Sequence, residues 1–261
     1  MEVTILKTII LGIIQGATEF LPVSSSGHLV LAQKLFGITE GALTLSVFLH
    51  FGTLVAVVIA LWDDVKGILL LKKSHRRLTF LILVGIIPTG IIGVAFKDLF
   101  EEAFNSILVV GSMLLVTGAL LWISEEYQTG RKSEEEMSFL DSIFVGLAQG
   151  LAIIPGISRS GSTIVGGFLR GLNRELAARF SFLVSLPVIF GATLLEVKDI
   201  IEMGTTGGVS ITNIVIGTLA ATISGYLAVR FLLDYIKKHS FKPFAYYVWG
   251  VGIIIILMNI L

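Results

Sequence analysis

The sequence contains no cysteine and little charge, and each shortage argues against a class of protein. Without cysteine the chain can form neither disulfide bonds nor thiolate metal sites. Only 15% of its 261 residues are Asp, Glu, Lys or Arg, whereas soluble domains contain about 25%. The formal net charge is zero, so nothing in the composition indicates a nucleic-acid partner. These shortages argue against an ordinary soluble domain.

Apolar sequence takes the place of the missing charge. Hydrophobic residues make up 54% of the chain, and the mean hydropathy is +0.92. A helix needs about 20 apolar residues to cross a bilayer, and runs near that length recur along the chain. They lie at about 43–62, 78–96, 105–124, 177–196, 211–230 and 244–260. We therefore predict an all-α integral membrane protein, surrounded by membrane lipids.

Two polar stretches interrupt the apolar sequence. Residues 15–28 read QGATEFLPVSSSGH, and residues 149–162 read QGLAIIPGISRSGS. Polar groups at this density are costly where water is scarce, and irregular backbone at membrane depth must be buried in protein or line a wet cavity. Short apolar pieces flank the two stretches at 3–15, 28–36, 139–153 and 162–171. The pattern predicts two re-entrant helical hairpins, each broken by proline and glycine.

The two halves of the chain match at one offset of 134 residues. This offset carries the first-half spans to 177–196, 212–230 and 239–258, close to the spans of the second half. It aligns Gln15 with Gln149, Gly16 with Gly150, Ser24 with Ser158, Ser26 with Ser160 and Gly27 with Gly161. A duplication is therefore predicted inside one membrane domain, 1–261. Repeat 1 is expected at about 1–124, a polar linker at about 125–138 and repeat 2 at about 139–261, each repeat a hairpin plus three transmembrane helices.

Counting the crossings predicts that the two repeats have inverted topology. A hairpin adds no net crossing and three spans add an odd number, so the second repeat begins on the opposite face. Repeats of this kind place their sites near the midplane, at discontinuous helices. The face with the basic loop at 63–77 carries most of the Lys and Arg residues and is predicted to be cytoplasmic. We expect a multi-pass plasma-membrane protein with both termini on the outer face and with hairpin tips that meet inside the membrane.

Arg159 lies at the tip of the second hairpin, where a cation costs about 2.5–3.5 kcal/mol on insertion scales. One interpretation is a structural ion pair with Glu19. The other is an anion clamp, because a guanidinium fork suits phosphate oxygens. Hydroxyl and backbone donors for such a clamp come from Ser158, Ser160, Gly161, Ser162 and Thr163. The first tip is built alike, with Ser24, Ser25, Ser26 and Gly27 before a helix; serines there are often only caps, but two facing tips favour a phosphate site.

Glu19 and His28 are the ionisable residues of the first tip. Glu19 shares a helix face with Gln15 if the helix continues that far. Its carboxylate can act as a general acid or base or help to hold a divalent cation; the alternative is a neutral glutamic acid bonded within the hairpin. His28 can be a proton donor, a nucleophile toward phosphorus or an interface histidine. His50, in the first full span, is interpreted as a packing or lining residue.

At these residues the sequence resembles the undecaprenyl-diphosphate phosphatase family, also known as the bacitracin-resistance protein family. The resemblance covers essentially the whole chain and rests on the stretch at 15–28 together with PGISRSGST at 155–163. It implies hydrolysis of the terminal phosphate of a polyprenyl diphosphate, which yields the monophosphate carrier lipid for cell-wall glycan synthesis and confers bacitracin resistance. It also implies a site open to the outer face and a divalent cation, Mg²⁺ or Ca²⁺, as cofactor.

The family's motifs map onto this chain residue by residue. Glu19 matches the second of two acidic residues spaced four apart, and Gln15 stands at the first position, where many relatives carry glutamate. Glutamine cannot act as a base and is the poorer metal ligand, so Glu19 would carry more of that role. The serine-rich segment is matched by Ser24, Ser25, Ser26 and His28, and the arginine motif by Ser158, Arg159 and Ser160.

The resulting hypothesis is a membrane phosphatase that acts on a polyprenyl diphosphate lipid. Its candidate catalytic residues are Glu19, Ser25, His28 and Arg159, and its candidate metal ligands are Glu19 and Gln15. The candidate phosphate-binding residues are Ser24, Ser26, Gly27, Ser158, Ser160, Gly161, Ser162 and Thr163. The nucleophile is Ser25, His28 or water.

Two rival functions use the same features. A polyprenyl-phosphate flippase or transporter would need the same phosphate-binding pocket, and inverted repeats with broken helices are also a transporter architecture. A non-catalytic lipid receptor is the third interpretation. The clustering of Glu19, His28 and the serines favours the enzyme, because transport alone needs no acid–base pair. A homodimer is a candidate assembly.

Overall fold

The computed structural model describes residues 3–38 and 41–260, and these ranges contain twelve α-helices and no β-strand. The helices are α1 (Ile5–Phe20), α2 (Ser25–Leu35), α3 (Ala42–Ala60), α4 (Trp62–Leu69), α5 (Arg76–Ala95), α6 (Lys97–Asn105), α7 (Ile107–Ser124), α8 (Phe139–Leu151), α9 (Arg159–Leu169), α10 (Arg174–Met203), α11 (Ile211–Tyr235) and α12 (Lys242–Ile260). Helices α3, α5, α7, α10, α11 and α12 are long and apolar enough to cross a membrane. The prediction of an all-α multi-span membrane protein is confirmed.

Helix α10 begins and ends where the sequence supplies a cap and a stop. Helix α10 has 30 residues and is longer than the run predicted at 177–196. Asn173 caps its first turn by accepting a hydrogen bond from the backbone N–H of Leu176 at 2.8 Å. The helix ends at Gly204, whose φ of +67° is a conformation that favours glycine. The residues that flank the apolar run are therefore helical as well, since they lie between the cap and the stop.

Two short helix pairs, α1–α2 and α8–α9, form the predicted hairpins. Leu21 is extended, with ψ of 142°, as expected for a residue before proline. Gly156 in the second turn has φ of +96°, and a Cβ there would lie 2.3 Å from the carbonyl oxygen of Val110, so only glycine fits. Helix α1 continues to Phe20, beyond the apolar piece predicted to end at residue 15. Glu19 is therefore helical, so the condition under which it shares a helix face with Gln15 is met.

Small residues let the first helix of each hairpin approach a spanning helix of the other half. On α1, a Cβ at Gly16 would lie 2.0 Å from Ser224 Oγ of α11. On α8, a Cβ at Gly146 would lie 2.0 Å from the carbonyl oxygen of Gly85 in α5. Such contacts between small residues are typical of helix association in membranes. They fix both hairpins, and so their tips, within the bundle.

The largest apolar cluster lies next to the tips. Phe20, which follows Glu19, packs edge-on against Phe182 of α10 with ring centroids 5.3 Å apart, and both side chains are fully buried. The same cluster includes residues of α3, α5, α8, α9 and α11. Glu19 is thus anchored at the edge of the core. The repeat limits, the inverted orientation and the facing of the termini stay predictions, and residues 1, 2 and 261 at those termini lie outside the described ranges.

Candidate active site

Each hairpin tip carries a serine that caps the returning helix. Ser24 Oγ accepts a hydrogen bond from the backbone N–H of Gly27 at 3.4 Å, and Ser158 Oγ accepts one from that of Gly161 at 3.1 Å. Serine favours this position because its hydroxyl satisfies an amide that has no partner within the helix. Ser24 has φ of +68°, which is uncommon for a residue other than glycine. This turn places Ser25 at the first position of α2.

The two tips are in direct contact. Ser160 Oγ of the second tip donates to the carbonyl oxygen of Leu21 at 3.0 Å. In the other direction, the backbone N–H of Gly156 donates to Ser26 Oγ at 3.4 Å. The structure therefore brings together the serine-rich segment and the arginine motif, which are more than 100 residues apart in sequence.

Glu19 is the centre of the contacts between the tips. Its Oε1 accepts a hydrogen bond from Arg159 Nη2 at 2.5 Å, and its Oε2 accepts one from Ser25 Oγ at 2.5 Å. The residue is only 5% exposed, and a buried carboxylate needs such partners. A hydroxyl, a carboxylate and a guanidinium are thus connected directly, which is the arrangement of a nucleophile beside a base.

Gln15 and His50 complete the surroundings of Glu19 Oε2. Gln15 Nε2 donates to it at 2.8 Å, and His50 Nε2 lies 3.5 Å away. His50 Nδ1 lies 2.8 Å from the carbonyl oxygen of Ser46; a carbonyl can only accept, so Nδ1 carries a proton. Nε2, the other ring nitrogen, faces the carboxylate. The side chain of His50 is 31% exposed against 4% for Glu19, so His50 connects the buried carboxylate with the exterior of the site.

Arg159 forms an ion pair with Glu19, which is one of the two roles predicted for it from the sequence. A second contact runs from Nη1 to the carbonyl oxygen of Ser181 at 3.4 Å. A guanidinium has five N–H donors, so these two bonds leave donors for a phosphate. Its side chain is 16% exposed, whereas Glu19 beneath it is almost completely covered. The ion pair and the anion clamp are therefore compatible, and the clamp stays a prediction.

The other predicted phosphate ligands form the framework of the tips. Thr163 Oγ1 donates to the carbonyl oxygen of Arg159 at 2.8 Å and lies 2.5 Å from Ser181 Oγ. The backbone N–H of Ser158 donates to Thr117 Oγ1 at 3.0 Å. Hydrogen bonds within or between the tips engage Ser24, Ser26, Gly27, Ser158, Ser160, Gly161 and Thr163, and Ser162 through its backbone. Their contact with phosphate stays a prediction.

His28 has its hydrogen bonds on the side of α12. Its Nδ1 lies 2.8 Å from the carbonyl oxygen of Ser24, and its Nε2 lies 2.8 Å from the hydroxyl of Tyr247. Within the described part of the chain these are its hydrogen-bond partners, and Glu19 and Arg159 are not among them. The structure thus places His28 at the tip but directs its ring toward the last helix. Its catalytic role stays a prediction.

Four residues that contact the predicted site residues were not predicted to belong to the site, namely His50, Thr117, Ser181 and Tyr247. His50 carried a signal, because an ionisable residue within a span is a candidate for function by default. Its interpretation as a packing or lining residue did not anticipate the contact with Glu19. The others are hydroxyl residues of spanning helices, and nothing in their local sequence distinguishes them from packing residues.

The predicted metal ligands, Glu19 and Gln15, offer one carboxylate and one amide. Over residues 3–38 and 41–260, no three His, Cys, Asp or Glu side chains cluster as a metal site. Gln15 Oε1 is buried and has no hydrogen-bond partner among the residues that the structure describes, so one amide oxygen is available to bind a cation. Mg²⁺ is commonly held by one or two carboxylates together with substrate phosphates and waters. The residues present fit a cation bound jointly with a diphosphate.

Comparison with known proteins gives matches over nearly the whole chain. Residues 8–254 match the family described as bacitracin resistance protein BacA. An undecaprenyl-diphosphatase of Halothermothrix orenii is 56% identical over 254 residues, which cover 97% of this chain and 98% of the relative. That of Alkaliphilus metalliredigens is 49% identical over 276 residues, covering 99% and 100%. Undecaprenyl-diphosphatase 4 of Bacillus thuringiensis is 46% identical over 254 residues, covering 97% of each chain.

Proposed function

The chain belongs to the bacitracin resistance protein BacA family, and we propose on this basis that it is an undecaprenyl-diphosphatase. It hydrolyses undecaprenyl diphosphate to undecaprenyl phosphate and inorganic phosphate, and so recycles the carrier lipid for cell-wall glycan synthesis. Relatives that share about half of its residues over their whole length are named for this activity.

The contact of Ser25, Glu19 and Arg159 is the observation that carries the chemistry. Ser25 Oγ and Arg159 Nη2 each lie 2.5 Å from the Glu19 carboxylate. A serine hydroxyl is a weak nucleophile until an adjacent base takes its proton. Phosphoryl transfer needs mainly positioning and stabilisation of charge on the phosphate oxygens. The three side chains supply the nucleophile, the base and the cation in one group.

The reaction that this geometry supports has two steps. Glu19 Oε2 takes the proton of Ser25 Oγ while Oγ bonds to the terminal phosphorus. The bond from that phosphorus to the bridging oxygen breaks, and undecaprenyl phosphate leaves with the electron pair. Water then attacks the phosphoserine, the bond from phosphorus to Ser25 Oγ breaks, and Oγ regains a proton as inorganic phosphate is released. Ser25 is favoured over His28 as nucleophile because both ring nitrogens of His28 already have partners.

Arg159 and the two tips bind the phosphate in this proposal. The guanidinium holds Glu19 through one donor and has further donors for the terminal phosphate oxygens. Because these donors are set by the fold, they need no reorganisation as charge develops in the transition state. The prenyl tail then lies among the spanning helices, and the diphosphate lies at the tips.

A divalent cation, Mg²⁺ or Ca²⁺, belongs to the proposal as a partner of the diphosphate. The Glu19 carboxylate and Oε1 of Gln15, which has no partner among the described residues, would hold it. When bound, the cation supplies charge neutralisation at the phosphate oxygens. The transport alternative has less support, since the names of the relatives give a phosphatase and the site contains a hydroxyl in contact with a base.

Phosphate release by the purified protein tests this proposal. The protein in detergent should release inorganic phosphate from undecaprenyl diphosphate, and Ser25→Ala and Glu19→Gln should each lower the rate by roughly 10³-fold or more. Ser210→Ala is the control, because Ser210 is a serine outside the site, where it caps α11. A phosphoserine at position 25, trapped with substrate labelled in the terminal phosphate, identifies the nucleophile.

The outcomes separate the alternatives. A transporter or receptor would release no phosphate in detergent. Full activity of Ser25→Ala with loss in Glu19→Gln would assign the attack to water, and a label on His28 would reverse the choice of nucleophile. Chelation of divalent cations should lower the rate of phosphate release, and restoration by Mg²⁺ or Ca²⁺ identifies the cation.

A further inference from the structure

His28 is held between the first hairpin tip and the last helix. Tyr247 of α12 approaches it with nearly parallel rings, whose planes differ by 6° and whose centroids are 5.6 Å apart. The Tyr247 hydroxyl lies 2.8 Å from Nε2. The next residue, Val248, is fully buried in one cluster with Val23 of the tip. Helix α12 thus shares an apolar cluster with the tip, next to the contact between Tyr247 and His28.

The directions of the two hydrogen bonds of His28 follow from their partners. The carbonyl oxygen of Ser24 can only accept, so Nδ1 carries the proton and donates. In neutral imidazole Nε2 is then the acceptor, and the Tyr247 hydroxyl is its donor. The bonds form a chain from Tyr247 through His28 to the carbonyl of Ser24. With both nitrogens engaged, the ring has one tautomer and one orientation.

The chain ends at the strained turn that precedes the candidate nucleophile. Ser24 has φ of +68°, a conformation that a serine keeps only when its surroundings impose it. Its carbonyl also accepts the backbone N–H of His28 at 3.3 Å. Ser25 follows directly and donates to Glu19 at 2.5 Å. A group that holds the Ser24 peptide therefore also sets the direction of Ser25 Oγ.

We propose that Tyr247 is a positioning residue of the phosphatase site, which acts through His28 to hold the Ser24 turn and so aims Ser25 at Glu19. The proposal rests on the phosphatase function proposed above and gives His28 a positioning role as well. Neither residue needs to touch the phosphate. The hydroxyl of Tyr247 and the Nδ1–H of His28 are the two groups that carry the effect.

Kinetics of matched variants test the chain of bonds. Tyr247→Phe keeps the ring and removes the hydroxyl, so kcat should fall about fivefold to tenfold, the effect of losing one hydrogen bond, while KM stays unchanged. Tyr246→Phe is the control, because the neighbouring Tyr246 packs against Trp122 and Trp249 instead. His28→Ala should lower kcat by about 100-fold, since small misplacements of reacting groups have effects of that size. His28→Asn should recover much of it, as its amide can donate to the Ser24 carbonyl in place of Nδ1.

A double-variant comparison and chemical labelling distinguish the proposed role of Tyr247 from a merely structural one. In the His28→Ala background, Tyr247→Phe should have no further effect on kcat, because the bond it removes is already absent. The folded protein is treated with diethylpyrocarbonate, and carbethoxylation of His28 is measured by mass spectrometry. The reaction should be several times faster in Tyr247→Phe than in the natural protein, because Nε2 is free in the variant. His239 in the same molecule serves as the internal reference.

The results also separate this proposal from the phosphatase function. Absence of phosphate release by the unmodified protein overturns the proposed function, whereas the labelling result stands independently of it. Equal kcat in Tyr247→Phe and Tyr246→Phe, additive losses in the double variant, or unchanged labelling of His28 would each overturn the role of Tyr247. If His28→Asn is as inactive as His28→Ala, the histidine belongs to the chemistry itself and its positioning role is overturned.

Discussion

Glu19 and Arg159 form a buried ion pair, and the proposed function requires the same two residues as a base and an anion clamp. The attraction between such charges seldom exceeds the cost of removing both from water, but removal of one partner leaves the other buried and unpaired. Glu19 has further donors in Ser25 and Gln15, and Arg159 has the carbonyl of Ser181. These contacts allow each charge to stay in the site while the other changes partner during a reaction.

Replacement of Arg159 should therefore affect both activity and stability. Arg159→Ala should lower phosphate release by at least about 100-fold, the loss typical of one charge-stabilising donor, and destabilise the protein by about 3–5 kcal/mol. Thermal unfolding in detergent and phosphate release measure the two effects. The double variant Glu19→Gln with Arg159→Met removes both charges, so its stability should return toward that of the natural protein while its activity stays low. Activity above one tenth of normal in Arg159→Ala would exclude the clamp.

Gln15 is the position at which this site differs from a two-carboxylate site. Its Nε2 donates to Glu19 Oε2 at 2.8 Å, so Gln15→Glu would replace an attraction by a repulsion unless a cation lies between the carboxylates. When both proteins are assayed in chelator, Gln15→Glu should be about tenfold less active than the natural protein, which corresponds to a repulsion of about 1.4 kcal/mol.

Titration with Mg²⁺ checks the Gln15 prediction. The rate of Gln15→Glu should recover at a lower Mg²⁺ concentration than that of the natural protein, because a carboxylate is the better ligand for a hard cation. Gln149→Glu is the control, since Gln149 is buried in the equivalent place of the second hairpin but bonds to Thr89. The same cation dependence in Gln15→Glu and the natural protein would contradict a cation at this position.

The residues of the site were predictable to the extent that each belongs to a polar stretch in apolar sequence. Glu19, Ser25 and Arg159 were identified because ionisable and hydroxyl groups at membrane depth need a reason. Their distances to one another depend on the fold. His28 lies in the same stretch, yet its partner Tyr247 is 219 residues away, and no local pattern connects the two.

At the scale of elements, each hairpin begins with a helix that uses glycine at the same two places. Gly12 and Gly16 of α1 and Gly146 and Gly150 of α8 are related by the offset of 134 residues. A Cβ at any of these four would lie between 2.0 and 2.6 Å from a neighbouring atom. The agreement supports the predicted duplication at the level of packing, and it explains how a hairpin with a polar tip can pack closely among apolar helices.

Substitution of these glycines should destabilise the bundle in proportion to the space available. Gly146→Ala places a methyl group 2.0 Å from the carbonyl oxygen of Gly85, so α8 must shift and we expect a loss of about 1–3 kcal/mol. Gly90→Ala in α5 is the control, because a Cβ there meets nothing within 4 Å, and alanine favours the helix by up to about 1 kcal/mol. Thermal unfolding in detergent ranks the two, and equal midpoints would contradict the close approach of α8 and α5.

The positions of the helices were predicted from the sequence more accurately than the residues at which they end. The hairpin breaks were marked by proline and glycine, but α1 extends through Gln15, Thr18 and Glu19 to Phe20. Thr18 is compatible with the helix because its hydroxyl donates to the carbonyl of Ile14 at 2.7 Å, and Glu19 because its charge is paired. Hydropathy ended the predicted piece at residue 15, but hydrogen bonds sustain the polar turn that follows, and one of the partners, Arg159, comes from the other half of the chain.

At the scale of the molecule, ion pairs connect the polar linker with the second half, and the second half with the first. Asp141 at the start of α8 is fully buried and accepts from Arg170 Nε at 2.7 Å and Lys132 Nζ at 3.2 Å. Arg179 of α10 bonds to Asp64 and, at 3.2 Å, to Glu134 of the linker. Composition predicted that basic residues gather on one face. Their pairing into a network was not predictable, because the acidic partners come from separate parts of the chain, namely α4, the linker and α8.

The orientation of the whole molecule is a prediction that the absence of cysteine makes easy to test. Single cysteines in the natural chain can be labelled without background. If the basic face is cytoplasmic, a membrane-impermeant maleimide should label Glu102→Cys and Thr205→Cys in intact cells. Ser74→Cys and Lys238→Cys should react only after the cells are permeabilised. All four positions are exposed, so the difference between them reports sidedness rather than burial.

Once the orientation is known, the side from which the diphosphate reaches the tips can be tested. In the predicted orientation the first hairpin enters from the outer face and the second from the cytoplasm, so Glu19 and Ser25 approach from outside and Arg159 from inside. With orientation established by the four cysteines, phosphate release from substrate added outside sealed cells should then match that of permeabilised cells. Reversed labelling of all four sites would contradict the predicted orientation. Labelling of Glu102→Cys and Thr205→Cys from opposite sides would contradict inverted repeats, because Glu102 follows the second crossing of its half and Thr205 the first crossing of the other.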